Sequence, residues 1–399
     1  MTNPTLTRTR GKGALTPADE NVSRHFSENE WDFAASRENR FARVTCGGTC
    51  SPLENLYHAP VRFIFARAAV MAAALALVAC GTIGTIGRRP PPPAPRYDEP
   101  FFARKPLASY EIATPRSGVA SQTVVGEIRR VKVRDGDTLL DLARLYDLGF
   151  EELQDANPGV DPWIPPVGST VVLPTAFVLP CCSYDGIVIN VPEMRLYYYR
   201  PGSSPDKTIV QTFPLGLGRA DYRTPMGVFH VKGKTVNPAW GVPARIRAEH
   251  IRERGDPRTF IKGGDPDNPL GKYRLELDRT LYRIHGTNMP WGIGRLVSHG
   301  CVQLYPEDIA HLFPLVKIGT RVEFIYQPVK AGARDGETWV EAHHDLYKRG
   351  GTRQQLAEAA LRQRGLEADA ARLRVALQDD RGLPTVVDDR RVRPWAKLW

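Results

Sequence analysis

The sequence is most informative between residues 284 and 304, where it reads Ile-His-Gly-Thr-Asn (284–288) and Gly-Arg-Leu-Val-Ser-His-Gly-Cys-Val-Gln-Leu (294–304). A thiol with a pKa of about 8.5 is only about 3% thiolate at pH 7, so a nucleophilic Cys301 needs a base. His285, at the end of a predicted strand, and His299 are the candidates. Gly286 and Gly300 leave room for backbone amides to face a developing oxyanion. This pattern predicts acyl transfer by a Cys/His pair.

Two other interpretations of this segment compete with catalysis. A buried core cysteine is disfavoured by the Ser-His-Gly flank of Cys301, which is poor core material. A zinc site built from His285, His299 and Cys301 would use ligand types that zinc prefers. The His-x-Cys spacing is cramped, however, and the sequence offers no apparent fourth ligand. We therefore predict an active site that uses no metal and no organic cofactor.

The surrounding residues 184–328 have the alternating pattern of a mainly β domain. A hairpin is predicted on either side of Pro192-Glu193, with alternating apolar residues at Ile187, Ile189, Val191, Leu196 and Tyr198. Further strands are predicted at Thr208–Leu215, Val228–Val231, Arg274–Leu277, Leu281–Ile284 and Val322–Tyr326. A helix is predicted over Pro306–Val316, directly after the cysteine segment.

Together, the two segments around His285 and Cys301 resemble the active-site signature of the L,D-transpeptidases, the YkuD-like or ErfK-type family. Thr224-Pro225-x-Gly227-x-Phe229 and Asn268-Pro-Leu-Gly271 match the same family's pattern. The resemblance covers about residues 184–328, and it implies a β-sandwich catalytic domain.

The resemblance also implies roles for individual residues. Cys301 would be the nucleophile, and His285 would accept and donate the proton while the Gly286 carbonyl orients its ring. The residues expected to shape the pocket or stabilise the oxyanion are Ser298, His299 and Gly300. The residues expected to contact the substrate are Thr287, Arg295 and Gln303. At position 303 the family usually has Arg or Asn, and the glutamine here can form hydrogen bonds but supplies no charge.

The chemistry that the resemblance implies is acyl transfer on the stem peptides of peptidoglycan. The cysteine would attack the carbonyl that joins the third stem residue to the terminal D-alanine, leaving a thioester. Attack on the thioester by an amine of a neighbouring stem would form a 3-3 cross-link. Attack by a lysine of an acceptor lipoprotein would instead attach that lipoprotein to the wall. The alternatives are an L,D-carboxypeptidase of the same fold, in which water attacks, and a non-catalytic peptidoglycan-binding lipoprotein.

Residues 128–174 have the pattern of a small α+β unit in the order strand, helix, helix, strand. Val131-Lys-Val133 alternates as a strand, and the turn Asp135-Gly136-Asp137-Thr138 begins a helix. A second helix over about 150–156 ends at Asn157-Pro158, and a strand at 171–174 closes the unit. The segment resembles the LysM domain, which implies binding of peptidoglycan glycans; the alternative is a packing module without glycan affinity. The predicted glycan-binding residues are Asp135, Gly136, Asp137, Thr138 and Asn157.

An export signal is predicted at residues 61–79. Its apolar run 68–79 is too short to span a bilayer, which takes about 20 residues, and two arginines precede it. Leu77-Val-Ala-Cys80 resembles the lipobox of bacterial lipoproteins, which implies cleavage before Cys80 and lipidation of its thiol. We expect outer-membrane attachment facing the periplasm, because Gly81 is not the aspartate that retains lipoproteins in the inner membrane. The alternative is an uncleaved anchor with a cytoplasmic tail.

The segments on either side of this signal have no predicted catalytic role. Residues 1–60 are polar and turn-rich, and we interpret them as a disordered or non-native extension that precedes a translation start at Val61. Residues 80–127 contain a proline run at 90–95 and are predicted to form an extended tether.

The C-terminal segment 329–399 is predicted to be a short, largely helical extension. Thr338–Ala342 has the pattern of a strand, and Thr352-x-x-Gln355 resembles a capping box that begins a helix ending near Arg364. A second helix is predicted over about 366–378. We interpret the segment as a packing or partner surface.

The composition is that of an ordinary folded protein with a basic charge balance. The 399 residues are 42% hydrophobic, which is enough for two or three domains with real cores. The formal net charge is +10, but the basic residues are spread along the chain and form no nucleic-acid-binding motif. We therefore expect peptidoglycan and a membrane, through the lipid anchor, as partners rather than DNA or RNA.

Overall fold

The computed structural model describes residues 102, 107–113, 122–181, 183–278, 282–379 and 381–388, all within the unit Arg88–Trp399. The predicted extension 1–60, the signal 61–79 and the lipidation site Cys80 lie outside the described residues. Within the described ranges, no helix combines the length and the apolar character of a membrane-spanning segment.

The elements are named in chain order. The strands are β1 (Ser109–Ala113), β2 (Val124–Gly126), β3 (Arg129–Lys132), β4 (Thr170–Leu173), β5 (Ala176–Val178), β6 (Gly186–Asn190), β7 (Arg195–Pro201), β8 (Lys207–Pro214), β9 (Leu217–Gly218), β10 (Gly227–Val236), β11 (Trp240–Gly241), β12 (Phe260–Ile261), β13 (Tyr273–Leu277), β14 (Arg283–His285), β15 (Leu296–Ser298), β16 (Val302–Gln303), β17 (Arg321–Ile325), β18 (Val329–Arg334), β19 (Glu337–Ala342) and β20 (Thr385–Val386). The α-helices are α1 (Leu139–Leu145), α2 (Phe150–Ala156), α3 (Ala244–Arg254), α4 (Pro306–Leu315), α5 (Arg353–Arg364) and α6 (Ala370–Gln378), and a 3-10 turn spans Pro290–Gly292.

The largest sheet has nine strands in the order β1-β8-β7-β6-β17-β10-β13-β14-β16. Its neighbours are antiparallel except for the parallel pairs β6 with β17 and β14 with β16. The first half of β10 pairs with β17 and its second half pairs with β13, with a shift of register between Val231 and Gly233. Such an irregularity bends a strand, and both halves of the sheet contribute to one core. The predicted mainly β class is therefore confirmed.

The strands and the helix predicted between residues 184 and 328 are present, and β10 extends further than predicted, to Val236. Helix α3 was not predicted, because the sequence of 244–254 has no apolar stripe and none of its residues is buried. Strand β1 was also missed. It lies inside the predicted tether 80–127 and forms the edge of the large sheet by pairing with β8, with Ile112 buried. The last part of the predicted tether therefore belongs to the folded unit.

The segment 129–173 has the predicted order strand, helix, helix, strand, and is called the βααβ unit below. Its strands β3 and β4 pair antiparallel around α1 and α2. Thr138 caps α1, since its Oγ1 accepts a hydrogen bond from the amide of Asp141 at 3.0 Å. Asn157 ends α2 and is buried, donating to the Leu153 carbonyl at 2.8 Å and accepting from the Val172 amide at 2.7 Å. Short-range turn and cap chemistry thus defines this unit.

The βααβ unit packs against one face of the large sheet and has no separate core. Leu142 of α1 and Leu153 of α2 share a hydrophobic cluster with Val188 of β6 and Tyr197 of β7. Successive side chains along a strand point to opposite faces of the sheet, so Ile187 and Ile189 of β6 point into the core on the other face.

Polar and backbone contacts fix the position of the βααβ unit. The Arg144 guanidinium donates to both carboxylate oxygens of Glu307 at 3.0 and 2.9 Å, and both side chains are nearly buried. The backbones of residues 149 and 294 are in direct contact, since a Cβ added at Gly149 would lie 2.8 Å from the Gly294 Cα. Glycine is therefore required on this contact, and the unit is held against the segment that leads to Cys301.

The C-terminal extension is half sheet and half helix, whereas the sequence predicted a single strand. Strands β18, β19 and β20 form an antiparallel sheet, and α5 and α6 pack on it in a third core. The predicted capping box of Thr352 and Gln355 is present at the start of α5. Strand β18 was missed because Val-Lys-Ala-Gly-Ala-Arg (329–334) is buried on both faces and contains residues of low strand propensity, so it does not alternate.

A buried ion cluster joins this extension to the large sheet. The ammonium group of Lys330, 1% exposed, forms salt bridges with Glu193 and with Glu341, the latter at 2.9 Å. It also donates to the Tyr197 hydroxyl at 3.1 Å, and Glu341 accepts from His343 at 2.6 Å. Removing one partner of such a cluster leaves the other charges buried and unpaired, which is costly.

We expect Lys330→Met to lower the free energy of unfolding by about 3–5 kcal/mol, because it leaves two buried carboxylates without their cation. In a unit of this size that corresponds to a fall in Tm of about 10 °C, measured by thermal unfolding followed by circular dichroism. Lys317→Met, at an exposed lysine, is the control and should shift Tm by no more than about 1–2 °C. Equal Tm values for the two variants would contradict the proposed contribution of the ion cluster to the free energy of unfolding.

Candidate active site

Parallel pairing of two short strands brings the predicted nucleophile and base together. In the register of β14 with β16, Ile284 lies opposite Val302, and His285 lies opposite Gln303. Cys301 immediately precedes Val302, so in this parallel register it falls opposite Arg283 at the start of β14, two residues before His285. His285 and Cys301, which are 16 residues apart in the sequence, thus meet at one edge of the sheet.

His285 is held in its neutral form and in one orientation. The ring is 2% exposed, and its Nδ1 lies 2.6 Å from the Gly286 carbonyl oxygen. A carbonyl only accepts, so Nδ1 carries the proton and Nε2 of the neutral ring carries the lone pair. Burial lowers the pKa of His285 to about 4, which the hydrogen bond to Gly286 only partly offsets. The ring is therefore a neutral proton acceptor at physiological pH.

Cys301 is a free thiol whose protonation is set by two opposing effects. Burial raises the pKa of the thiol, because a desolvated thiolate is unfavourable. The positive charge of Arg283 and its hydrogen bonds to the thiol, together with the charge of Arg274, act in the opposite direction but are smaller. The site at neutral pH therefore holds a thiol and a neutral imidazole, so proton transfer must accompany attack.

Ser298 closes the turn that presents Cys301. Its hydroxyl donates to the Cys301 carbonyl at 2.6 Å and accepts from the Gly300 amide at 3.2 Å. Gly300 has a φ of +101°, a conformation that favours glycine, and it packs against the backbone of Gly218, where an added Cβ would lie 2.9 Å from the Gly300 Cα. The Gly300 amide, expected near the oxyanion, thus donates a hydrogen bond inside the turn, and its role toward the oxyanion stays a prediction.

A cavity of about 940 Å³ opens onto the thiol. Predicted site residues that line it are His285, Ser298, His299, Cys301 and Gln303. Its opposite wall is helix α3, which contributes Arg245, Ile246, His250 and Arg254. The cavity is large enough for a peptide segment, and several of the side chains that line it are positively charged.

A model of the L,D-transpeptidase catalytic domain matches residues 184–324. The probable L,D-transpeptidase ErfK/SrfK of Escherichia coli (strain K12) is 38% identical over 276 residues, which cover 66% of this chain and 87% of that relative. The chain belongs to the L,D-transpeptidase family. The probable L,D-transpeptidase YbiS of the same strain is 41% identical over 227 residues, or 56% of this chain and 72% of the relative. The NMR structure of the catalytic domain from E. faecium L,D-transpeptidase covers 37% of this chain at 22% identity with a TM-score of 0.27.

His299 of the transpeptidase lines the cavity and also contacts two charged partners. Its Nε2 lies 2.8 Å from a carboxylate oxygen of Glu249 on α3 and 3.0 Å from a guanidinium nitrogen of Arg219. The ring of Tyr222 meets it edge to face at a centroid distance of 4.6 Å. These contacts connect the cysteine turn to the α3 wall.

Two residues that were expected to contact the substrate of the transpeptidase lie elsewhere. Thr287 is buried and does not line the cavity, because its hydroxyl accepts from the Met289 amide at 2.9 Å and closes a local turn. Arg295 does not line it either, since its guanidinium lies over the Phe150 ring of α2 at 4.5 Å. The structure thus places both side chains outside the cavity lining, and their contact with the substrate stays a prediction. Gln303 does line it.

The zinc interpretation of His285, His299 and Cys301 finds no support in the geometry. In the described part of the chain, one set of three potential ligands lies within 4.8 Å, namely Glu193, Glu341 and His343. That set surrounds the Lys330 ammonium group in the ion cluster and lies outside the catalytic cavity.

Sequence reasoning missed two groups of the transpeptidase site. Arg283 lies two residues before His285 on one strand, so the period of two places both side chains on the same face, and this signal was available. Glu249 and Arg219 are 50 and 80 residues from His299, and nothing in the local sequence connects them.

We expect Arg283→Gln to slow the alkylation of Cys301 by iodoacetamide at pH 8 by about three- to tenfold. The variant removes the positive charge that lowers the pKa of the thiol most, so this pKa rises further and the thiolate fraction falls at that pH. The two rates should converge at a pH above the pKa of both thiols. Arg321→Gln, at an arginine paired with Glu323 on β17, is the control. Unchanged alkylation in Arg283→Gln would contradict this role.

Proposed function

We propose that the protein is a peptidoglycan L,D-transpeptidase in which Cys301 is the nucleophile and His285 transfers the proton. The observation that supports it most is the pairing of β14 with β16, which puts a free thiol and a neutral imidazole into one cavity. Membership of the L,D-transpeptidase family supports the identity of the acyl donor, which we propose is the carbonyl that joins the third residue of a stem tetrapeptide to D-alanine.

In the first half-reaction the thiol proton passes to Nε2 of His285 as the sulfur attacks the donor carbonyl. The C–N bond to D-alanine then breaks, and the imidazolium returns its proton to the leaving amine. The product is a thioester on Cys301 and free D-alanine. The hydrogen bond from Nδ1 to the Gly286 carbonyl keeps the ring in the required tautomer throughout.

In the second half-reaction an amine attacks the thioester and gives its proton to His285. The thiol then leaves and takes that proton back, so the enzyme is regenerated. We propose the side-chain amine of a neighbouring stem as the acceptor, which gives a 3-3 cross-link. A lipoprotein lysine and water are the alternatives.

The purified protein, incubated with tetrapeptide-containing muropeptides, tests the proposal through the masses of its products. Dimers that have lost one D-alanine are expected. Tripeptide monomers without dimers would indicate an L,D-carboxypeptidase instead. Unchanged substrate in the presence of retained peptidoglycan binding would favour the non-catalytic lipoprotein.

We also propose that the βααβ unit binds the glycan strands of peptidoglycan as a LysM domain. Three of the predicted contacts are occupied internally. Asp137 accepts from the Arg134 amide at 2.8 Å, Thr138 caps α1, and Asn157 is bonded on both sides within the unit. These three residues stabilise the unit through those hydrogen bonds, and their contact with the glycan stays a prediction. Asp135 and Gly136 remain on the exposed turn.

The surface beside that turn supports the proposal. Trp163 is 54% exposed and Ile164 80% exposed, in the loop whose Pro162 carbonyl accepts from the Leu139 amide of α1 at 2.9 Å. An exposed tryptophan offers a sugar ring a flat apolar face. Trp163→Ala should therefore reduce sedimentation with purified peptidoglycan several-fold, and an unchanged bound fraction would exclude this surface.

The cell location follows as a proposal from the sequence of the segment before the folded unit. Cleavage before Cys80 and lipidation of its thiol would hold the enzyme at the outer membrane facing the periplasm, where its substrate lies. Intact mass of the protein from native membranes tests this, with a diacylated species beginning at Cys80 expected. A mature species that retains Trp31 would contradict it.

A further inference from the structure

Helix α3 forms one wall of the catalytic cavity but is held by few contacts. It lies between β11 and β12, which pair only with each other in a two-residue ribbon. None of its residues is buried. Four of them nevertheless line the cavity that contains Cys301: Arg245, Ile246, His250 and Arg254. The position of this wall therefore depends on a small number of specific interactions.

Glu249, on the same helix, makes two of them. One of its carboxylate oxygens accepts from the Arg219 guanidinium at 2.9 Å, and the other lies 2.8 Å from Nε2 of His299. The Glu249 side chain is only 14% exposed, so these interactions are partly shielded from water. His299 lies two residues before Cys301, so the carboxylate joins the wall to the turn that carries the thiol.

Arg219 and Tyr222 complete the connection from the other side. The Arg219 amide donates to the Ser298 carbonyl at 3.0 Å, which attaches this residue to the same turn through its backbone. The Tyr222 ring lies between His299, at a centroid distance of 4.6 Å, and the Arg245 guanidinium of α3, at 4.5 Å. Three separate chain segments therefore converge on the Glu249 carboxylate.

The carboxylate is charged at every physiological pH. Its hydrogen bonds from Arg219 and with His299 hold the pKa of Glu249 at about 2, despite partial burial. The interaction is thus a permanent charge-assisted link, and such links are stronger than neutral hydrogen bonds.

We infer that Glu249 is a positioning residue that latches the α3 wall onto the His299 turn and so keeps the cavity shaped for the stem peptide. The inference rests on the proposed function for the identity of the peptide. Glu249 does not line the cavity, and so acts through α3 and His299 rather than on the reacting atoms. Loss of the latch should weaken substrate binding while leaving the thiol reactive.

Glu249→Gln tests the latch, because it preserves the size of the side chain and removes its charge. We expect KM for the tetrapeptide donor to rise about tenfold, with kcat changed by less than about threefold. The alkylation rate of Cys301 should not fall. Glu249→Asp, which keeps the charge on a shorter side chain, should give a KM between those of Glu249→Gln and the wild type.

Glu253→Gln on the same helix is the matched control, since Glu253 is exposed and, within the described residues, forms a salt bridge only with the adjacent Arg252, at 3.5 Å. It should leave KM unchanged. Amide hydrogen exchange of residues 244–254 in the absence of substrate gives an independent readout. Exchange should be faster in Glu249→Gln than in Glu253→Gln.

Equal exchange in the two variants, together with an unchanged KM in Glu249→Gln, would overturn the latch. A fall in kcat and in thiol alkylation without a change in exchange would also overturn it, by indicating a direct role in chemistry. If the wild type does not turn over the tetrapeptide, the proposed function fails, and the exchange measurement still decides whether the latch exists.

Discussion

Replacing Cys301 with alanine is expected to abolish the formation of cross-linked dimers, with the rate falling by about 10⁴-fold or more to background. The reaction passes through a thioester on this sulfur, and no other free thiol is present among the described residues. The cavity, the α3 wall and the basic groups remain, but they cannot supply a nucleophile. Dimer formation is measured by liquid chromatography and mass spectrometry of the muropeptides.

The same variant should remain folded and should still bind the substrate. Cys301 is only partly exposed and is replaced by a smaller residue, so Tm should change by no more than a few degrees. The tetrapeptide should still bind, with an affinity close to that of the wild type. Dimer formation above about 1% of the wild-type rate would show that another group attacks the donor.

His285→Gln is expected to reduce kcat/KM by about 10²–10⁴-fold, the range typical of a general acid–base residue. Glutamine is of similar size and its amide can still donate to the Gly286 carbonyl, so the local structure is preserved. It cannot accept the thiol proton or protonate the leaving amine. The control is His230→Gln, which changes an exposed histidine on β10 that is paired with Asp278. This variant should retain full activity.

The pH profile provides a second test of His285. The pKa of this ring is about 4, so the base is neutral above pH 5 and becomes protonated below pH 4. The acid limb of kcat/KM for the wild type should therefore lie near pH 4, well below the ordinary histidine value of about 6.5. An acid limb near 6.5 would mean that a more exposed group controls the reaction.

The parts of the fold that the sequence predicts well are those defined by local chemistry. Thr138 and Asn157 are a cap and a helix end, and they specify the bounds of α1 and α2 within one or two residues. The Thr352 capping box does the same for α5. These signals depend on residues three or four positions apart, so they are visible in a single sequence.

The parts that the sequence does not predict depend on tertiary contacts. Helix α3 has no apolar face, so no periodicity announces it, although it becomes a cavity wall. Strand β18 is buried on both faces, and its Lys330 is stable there only because Glu193, from the turn between β6 and β7, and Glu341 of β19 supply the opposite charges. A lysine in such a strand is evidence for a surface when the sequence is considered alone.

The candidate site shows the same division. The pairing of His285 with the Gly286 carbonyl concerns adjacent residues and is anticipated by the motif. Arg295 lies six residues from Cys301 in the chain, yet it packs on Phe150 of the βααβ unit. Glu249 is 50 residues from His299 and contacts it directly. Which charged residue faces the cavity is decided by the fold.

The most direct test of the proposed acyl transfer through Cys301 is to trap the thioester. The protein is mixed with a stem tetrapeptide that has no free acceptor amine, quenched in acid, and analysed by intact mass and peptide mapping. We expect an adduct with the mass of the donor minus D-alanine, located on the peptide that contains Cys301 and removed by hydroxylamine. Release of D-alanine without any adduct on that peptide, or an adduct on another residue, would contradict it.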